Sequence, residues 1–211
     1  MATYFDDCSS LTNWTEADWT VGAQFSVVSG HIEKTSSVSG DILKYANGAG
    51  VSDVEIAVKI SFAGLSSTYR SFAFLRGADD TALATFDAYG LQANDSGFRI
   101  VRTDDGTTSF LASKSGLTID TSDRWFRLRA NGSNLKARTW LDVDTEPGTW
   151  DIDYTDGAPL TAGGSLGFRL PGVSTIYSWK AFGVGTNGDT APTSAGGSSS
   201  TGAAMAYLSQ L

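Results

Sequence analysis

The chain has 211 residues, a formal net charge of −8, 24 glycines against 4 prolines, and 6 Trp, 7 Tyr and 11 Phe. Such acidity excludes general binding to nucleic acid or to an anionic membrane, both of which would repel it. Cys8 is the sole cysteine, so no intrachain disulfide can form, and no apolar run approaches the length of a membrane span.

Residues 4 to 28 alternate aromatic and small polar residues (Phe5, Leu11, Trp14, Trp19, Val21, Phe25, Val27) and read as two short strands, with Asp6 and Asp7 in the first loop. Ser29-Gly30 marks a turn. The only histidine, His31, follows it and is expected to be a hydrogen-bonded turn residue, since a lone imidazole makes neither a His-rich metal site nor a triad. Ile42, Leu43 and Tyr45 suggest another strand. In the run Asp53 to Phe62, Val54, Ile56, Val58, Ile60 and Phe62 share one face while Asp53, Glu55 and Lys59 share the other, the pattern of a strand in the middle of a sheet. Strands are expected at 69–76, where Arg70, Phe72, Phe74 and Arg76 would share a face, and at 83–89 and 97–103. The turn cluster before residue 107 ends in Asp105-Gly106, a strong hairpin signal.

The stretch from Asp123 to Trp150 is a hairpin by its alternation. Phe126, Leu128, Ala130, Leu135, Ala137, Thr139, Leu141 and Val143 fall on one face. If the turn closes symmetrically over Gly132-Ser133, Trp125 lies opposite Trp140, Arg127 opposite Arg138 and Arg129 opposite Lys136. Like charges across a ladder repel, so an anion is required nearby, either a carboxylate such as Asp53 or Glu55 or a ligand. Residues 150–154, 166–170 and 176–184 complete the strands. Gly185 to Gly202 reads as a flexible Gly/Ser/Thr linker, and the last residues turn apolar again at Met205, Tyr207, Leu208 and Leu211.

The segments WFRLRANG, LKARTW, TEPGTW and GGSLGFR, with the opening Tyr4-Phe5-Asp6-Asp7 and the closing Trp179 to Val184, resemble the concanavalin A-like (laminin G-like) jelly-roll domains. The resemblance covers residues 3 to 187 and implies an all-β, two-sheet antiparallel sandwich over 1–187. Residues 188–211 would then form the linker and an apolar attachment tail. Asp6 and Asp7 could by that resemblance help hold a structural calcium, although aspartates that hold their own turn are the alternative; no other cofactor is expected. The family 16 glycoside hydrolases share this fold and carry alternate carboxylates, E-x-D-x-E, on one strand face. Asp142, Asp144 and Glu146 match that spacing, but Asp142 is short for a nucleophile and Pro147-Gly148 suggests that Glu146 is already in a turn.

The remaining candidate is a carbohydrate-binding face of Trp125, Arg127, Arg129, Arg138 and Trp140, where rings stack on sugars and guanidinium groups hold acidic substituents. Tyr69, Tyr89 and Tyr177 are open to a groove or a core role. The N-terminus MATYFDDCSS has no basic n-region or apolar h-region, so synthesis in a host cytoplasm without a signal peptide is expected. Its surface style, with only 18% charged residues, is that of extracellular and virion β-proteins. The leading expectation is therefore a non-enzymatic protein of a tailed-phage virion surface, a capsid decoration or fibre protein. It would display a lectin-like domain toward host glycans, with other virion proteins and further copies of itself as partners and no nucleic acid or membrane insertion. The rivals are a carbohydrate-binding module of another bacterial protein and a family 16-like hydrolase.

Overall fold

The computed structural model describes residues 1–17, 25–34, 42–78, 81–169 and 176–195. Trp19, Val21 and the attachment-tail residues Met205, Tyr207, Leu208 and Leu211 lie outside them. Among the described residues the strands are β1 (Ala2–Asp6), β2 (Trp14–Ala17), β3 (Phe25–Val28), β4 (His31–Lys34), β5 (Ile42–Tyr45), β6 (Val54–Ala63), β7 (Arg70–Ala78), β8 (Asp87–Asn94), β9 (Gly97–Asp104), β10 (Thr107–Ser115), β11 (Arg124–Asn131), β12 (Asn134–Leu141), β13 (Ile152–Thr155), β14 (Ser165–Arg169) and β15 (Ile176–Thr186). A single 3-10 turn at Leu83–Thr85 is the only helical element among them.

All pairings are antiparallel and form two sheets, one ordered β13-β12-β11-β6-β15-β4-β3 with β1 added beside β15, the other ordered β10-β9-β8-β7-β14-β5-β2. The local turn chemistry sets these pairings. Ser29-Gly30 and Asp105-Gly106 both take positive φ (50° and 80°, 46° and 71°), the conformation whose twist matches the strands of a two-residue hairpin. β6 lies between β11 and β15, as its double-sided burial requires.

The inward faces of both sheets meet in one core. Val54, Ile56, Val58, Ile60 and Phe62 of β6 face Phe126 and Leu128 of β11 and Leu91, Phe98 and Ile100 of the opposite sheet. Trp14 stacks on Phe168 (centroids 4.4 Å apart), which stacks on Trp179 (4.9 Å), whose indole Nε1 donates to the Phe72 carbonyl (3.1 Å). Each such ring buried contributes roughly 1.5–3 kcal/mol. Tyr89 and Tyr177 are core residues, both fully buried.

Strand β7 departs from simple alternation. Bulges between Ser71 and Ala73 and between Leu75 and Ala78 shift its phase, so Phe72 enters the main core while Phe74 joins Ile42, Phe86 and Ala88 on the outer face. Arg76, at positive φ and 2% exposed, gives its guanidinium to the carbonyls of Ser52, Gly132 and Leu160. The four residues expected to share a face are thus divided, because a bulge inserts one residue and reverses every side chain after it.

The segment after β15 also differs from expectation. Residues 187–195 do not leave the domain: Asn187 donates to the Asp53 carbonyl (2.7 Å) and Ala191 is 1% exposed. The chain returns across Gly183 and Gly185, where a Cβ would collide with the backbone of Pro192 and Asp189. Two glycines at alternate positions of one strand face make the room.

Two outcomes are expected. Gly183→Ala should loosen the returning segment, lowering the melting temperature and opening residues 187–195 to limited proteolysis. Asp156 is 4% exposed and accepts hydrogen bonds from Tyr89 Oη (2.7 Å), the Ala158 N–H (3.0 Å) and Arg102 (3.2 Å). Burial pushes its carboxyl up, but these donors and the Arg102 charge outweigh burial and hold it below the usual value. Its contribution is therefore complete above about pH 4 and lost as pH falls through the lowered value. Urea titrations of Asp156→Asn should show a loss of about 1.5–3 kcal/mol at neutral pH and a flatter decline in acid.

Candidate functional site

The hairpin closes in the expected register: Trp125 pairs with Trp140, Arg127 with Arg138 and Arg129 with Lys136, and β6 places Glu55 opposite Arg129. The outward face of these strands is occupied by an ion network. Arg127, 1% exposed, donates to Glu55, which is also 1% exposed, and Arg129 Nε donates to the second Glu55 oxygen. On its other side Arg127 meets Glu146 (Nη2 to Oε2, 2.8 Å), and Arg138 Nη2 lies 2.5 Å from Glu146 Oε1. Glu146 thus sits between the two arginines that face each other across the ladder. Arg138 and Arg129 also lie over the Trp150 ring, at 4.3 and 5.3 Å.

The returning segment completes this network. The Ala191 N–H donates to Glu55 (3.0 Å) while its carbonyl accepts from Arg127 (2.8 Å). An ion pair removed from water is tolerated only where its remaining lone pairs and protons are matched, and this backbone unit matches one of each. The three arginines expected to greet a ligand are therefore paired from within.

Beside the network lies a cavity of about 470 Å³. Trp125 and Trp140 line it with parallel rings (centroids 6.1 Å apart, 11° between planes), together with Phe5 and Ala181. At 5% and 7% exposure the indoles offer little of their surface to solvent. The polar lining comes from Lys59, Lys180, Asp142, Asp144 and Glu146 on one side and Thr193 and Ser194 of the returning segment on the other. Asp142 accepts from Lys59 Nζ (2.6 Å) and Trp125 Nε1 (2.8 Å). Burial pushes the Asp142 carboxyl up, yet those two hydrogen bonds and the charges of Lys59 and Lys180 hold it below the usual range.

The carboxylate run does not form an alternating strand face, because β12 ends at Leu141. A turn follows, with the Asp144 N–H on the Leu141 carbonyl (2.9 Å). Asp142 and Glu146 are committed to cations, and Asp144 is exposed. Sequence reasoning identified the two tryptophans of the cavity but missed Lys180, Phe5 and residues 193–195. Lys180 carried one usable signal, a cation in a strand end rich in aromatic and small residues.

Asp6 and Asp7 hold the loop after β1. Asp6 accepts from the Cys8 N–H (2.7 Å) and Asn13 Nδ2 (2.9 Å), and Asp7 accepts from the Ser9 N–H (3.0 Å). Calcium takes six to eight oxygens, and no group of three or more acidic, His or Cys side chains placed to hold a metal occurs among the described residues. The pair by itself does not fit the ion. His31 meets Glu33 (2.8 Å), which also accepts from Ser178 (2.9 Å), in keeping with a hydrogen-bonded turn residue.

No family model matches the chain, and no curated protein matches it by sequence. Solved structures do match by fold. A native glycosidic hydrolase aligns with TM-score 0.62 at 12% identity over 89% of this chain and 97% of that one. The exoplasmic/lumenal domain of VIP36 in its Ca2+/Man3GlcNAc-bound form gives 0.58 at 11% over 87% and 88%. The carbohydrate-binding module CBM66 from Bacillus subtilis gives 0.54 at 14% over 83% and 93%. The fold is thus the jelly-roll sandwich found in lectins, carbohydrate-binding modules and glycoside hydrolases.

Replacing Arg127 with Met should cost about 3–5 kcal/mol in urea unfolding, since Glu55 is left buried without its main partner. The double variant Glu55→Leu/Arg127→Met should regain a large part of that loss.

Proposed function

We propose that this protein is a non-enzymatic glycan-binding module that holds a neutral saccharide in the cavity beside Trp125 and Trp140. The observation that carries this reading is the lining itself. The indoles and Phe5 supply apolar surface for a sugar ring, while carboxylates, ammonium groups and hydroxyls alternate around it as acceptors and donors for sugar hydroxyls. Three carboxylates against two lysines disfavour an acidic ligand there. The fold shared with VIP36 and CBM66 supports the reading.

The absence of a free carboxyl pair supports binding over hydrolysis. A retaining glycosidase needs one carboxyl kept protonated as acid and one free as nucleophile. Asp142 is held in its ionised form by Lys59, and Glu146 has both oxygens turned to Arg127 and Arg138. The same proposal extends to its setting on a tailed-phage particle, anchored through the tail that carries Met205, Tyr207, Leu208 and Leu211. That extension rests on composition; mass spectrometry of purified particles that lack the protein would overturn it.

On a glycan array the protein is expected to bind neutral oligosaccharides. Asp144→Ala and Lys180→Ala should each weaken that binding about tenfold or more, the worth of a charge-assisted hydrogen bond, with unchanged melting temperature. Incubation with laminarin or agar should release no reducing ends. Release that disappears in Glu146→Gln would replace this reading with a hydrolase.

A further inference from the structure

The chain carries a surplus of acid, yet not every arginine has a carboxylate partner. Arg76, Arg102, Arg127, Arg129 and Arg138 all lie within 4 Å of an aspartate or glutamate. Among the described residues Arg70, Arg99, Arg124 and Arg169 have no such partner, and of these Arg99 and Arg169 lie on the outward face of the other sheet.

Arg99 is built into its place. On neighbouring strands Ser71, Gln92 and Arg99 stand in register, and they are joined in a row: Gln92 Nε2 donates to Ser71 Oγ (2.9 Å), and Arg99 Nε donates to Gln92 Oε1 (2.8 Å). Gln92 is only 8% exposed, so this support is fixed by packing. The guanidinium lies over the Tyr69 ring at 4.1 Å and near the Phe110 ring at 5.9 Å, and Phe110 is 57% exposed, the largest exposure of any aromatic residue described. With Nε used, the two terminal nitrogens have no protein partner, and neither is a buried unsatisfied group. They form the planar fork that receives a carboxylate with two parallel hydrogen bonds. Burial lowers the Arg99 pKa, with Tyr69 opposing, and no acid among the described residues relieves that cost.

Arg169 occupies the same face farther along. Its Nη1 donates to Thr103 Oγ1 (2.8 Å) and its guanidinium lies over Phe86 at 5.6 Å. Thr103 is four residues from Arg99 on β9, so the two cations are roughly 13 Å apart by the rise of a strand.

We propose that this face binds an acidic saccharide of several units, with one carboxylate on the Arg99 fork, a sugar ring against Phe110 and a further acidic unit toward Arg169. Charge complementarity selects an anion, and the exposed ring beside the fork selects a sugar over a bare anion. An extended peptide would seek an unpaired strand edge, whereas Ser71, Gln92 and Arg99 lie on the face of paired strands.

Calorimetry with an oligogalacturonate, its fully methyl-esterified form and an oligoglutamate peptide tests this site. The oligogalacturonate should bind with an affinity that falls as salt rises, and the ester should bind at least tenfold more weakly. Arg99→Gln should lower binding at least tenfold, Arg99→Lys should give an intermediate loss for want of the fork, and Arg169→Gln should weaken the longer oligomers. Gln92→Glu supplies a second route, because it places a carboxylate on Arg99 at nearly constant volume and should abolish binding in a folded protein. Unchanged binding in Arg99→Gln and Gln92→Glu, or no binding of oligogalacturonate by the parent, overturns the proposal. Equal affinity for oligoglutamate overturns its saccharide part. Neutral glycans held in the cavity, and lost in Asp144→Ala, report on the other site independently.

Discussion

The ion pair between Glu55 and Arg127 is the constraint around which the outer face of the larger sheet is arranged. The two charges stand on adjacent strands, and each is 1% exposed. Charges so dehydrated require partners, and the protein supplies four further groups: Arg129 along the strand, Glu146 from the turn after β12, and the N–H and carbonyl of Ala191. The dependence is mutual. The returning segment excludes water from the pair, and the pair gives that segment, poor in apolar side chains, its reason to dock. A buried pair of this kind adds little over an apolar pair of the same volume, so its main effect is to fix where the segment lies.

That arrangement decides where ligands can be received. Because Glu55 and Glu146 are paired with Arg127, Arg129 and Arg138, two of the three positive charges on the basic ladder of the hairpin are offset from within. What the network leaves open is the adjoining cavity, whose far wall is the same returning segment at Thr193 and Ser194. One docking event thus covers part of the basic face and forms a wall of the cavity. On the smaller sheet Arg99, which has no acidic partner among the described residues, is held by its hydrogen bond to Gln92.

Likeness in fold to lectins, binding modules and hydrolases alike leaves the chemistry to individual carboxylates. Here lysine and arginine side chains pair with two carboxylates of the run after β12. Lys59 on Asp142 and the two arginines on Glu146 give that run a part in holding the corner after β12.

The sequence by itself determined the sandwich, the central position of β6, the hairpin register and the tight turns at Ser29-Gly30 and Asp105-Gly106. Each of these follows from period-two alternation or from turn chemistry within a few residues, and the clean alternation of β6 offered Asp53 or Glu55 as a counter-ion, of which the structure uses Glu55. Tertiary structure alone decided the rest. The bulges of β7 separate Phe72 from Phe74 without any mark in composition, and Glu146 becomes a counter-ion only because a turn swings it back over its own hairpin. The returning segment looked like linker because its hold on the domain is made by backbone groups and by glycines beneath it. Its hydrogen bond to Glu55 joins residues 136 positions apart, and a contact made by a peptide group over that separation leaves no pattern of side chains to read.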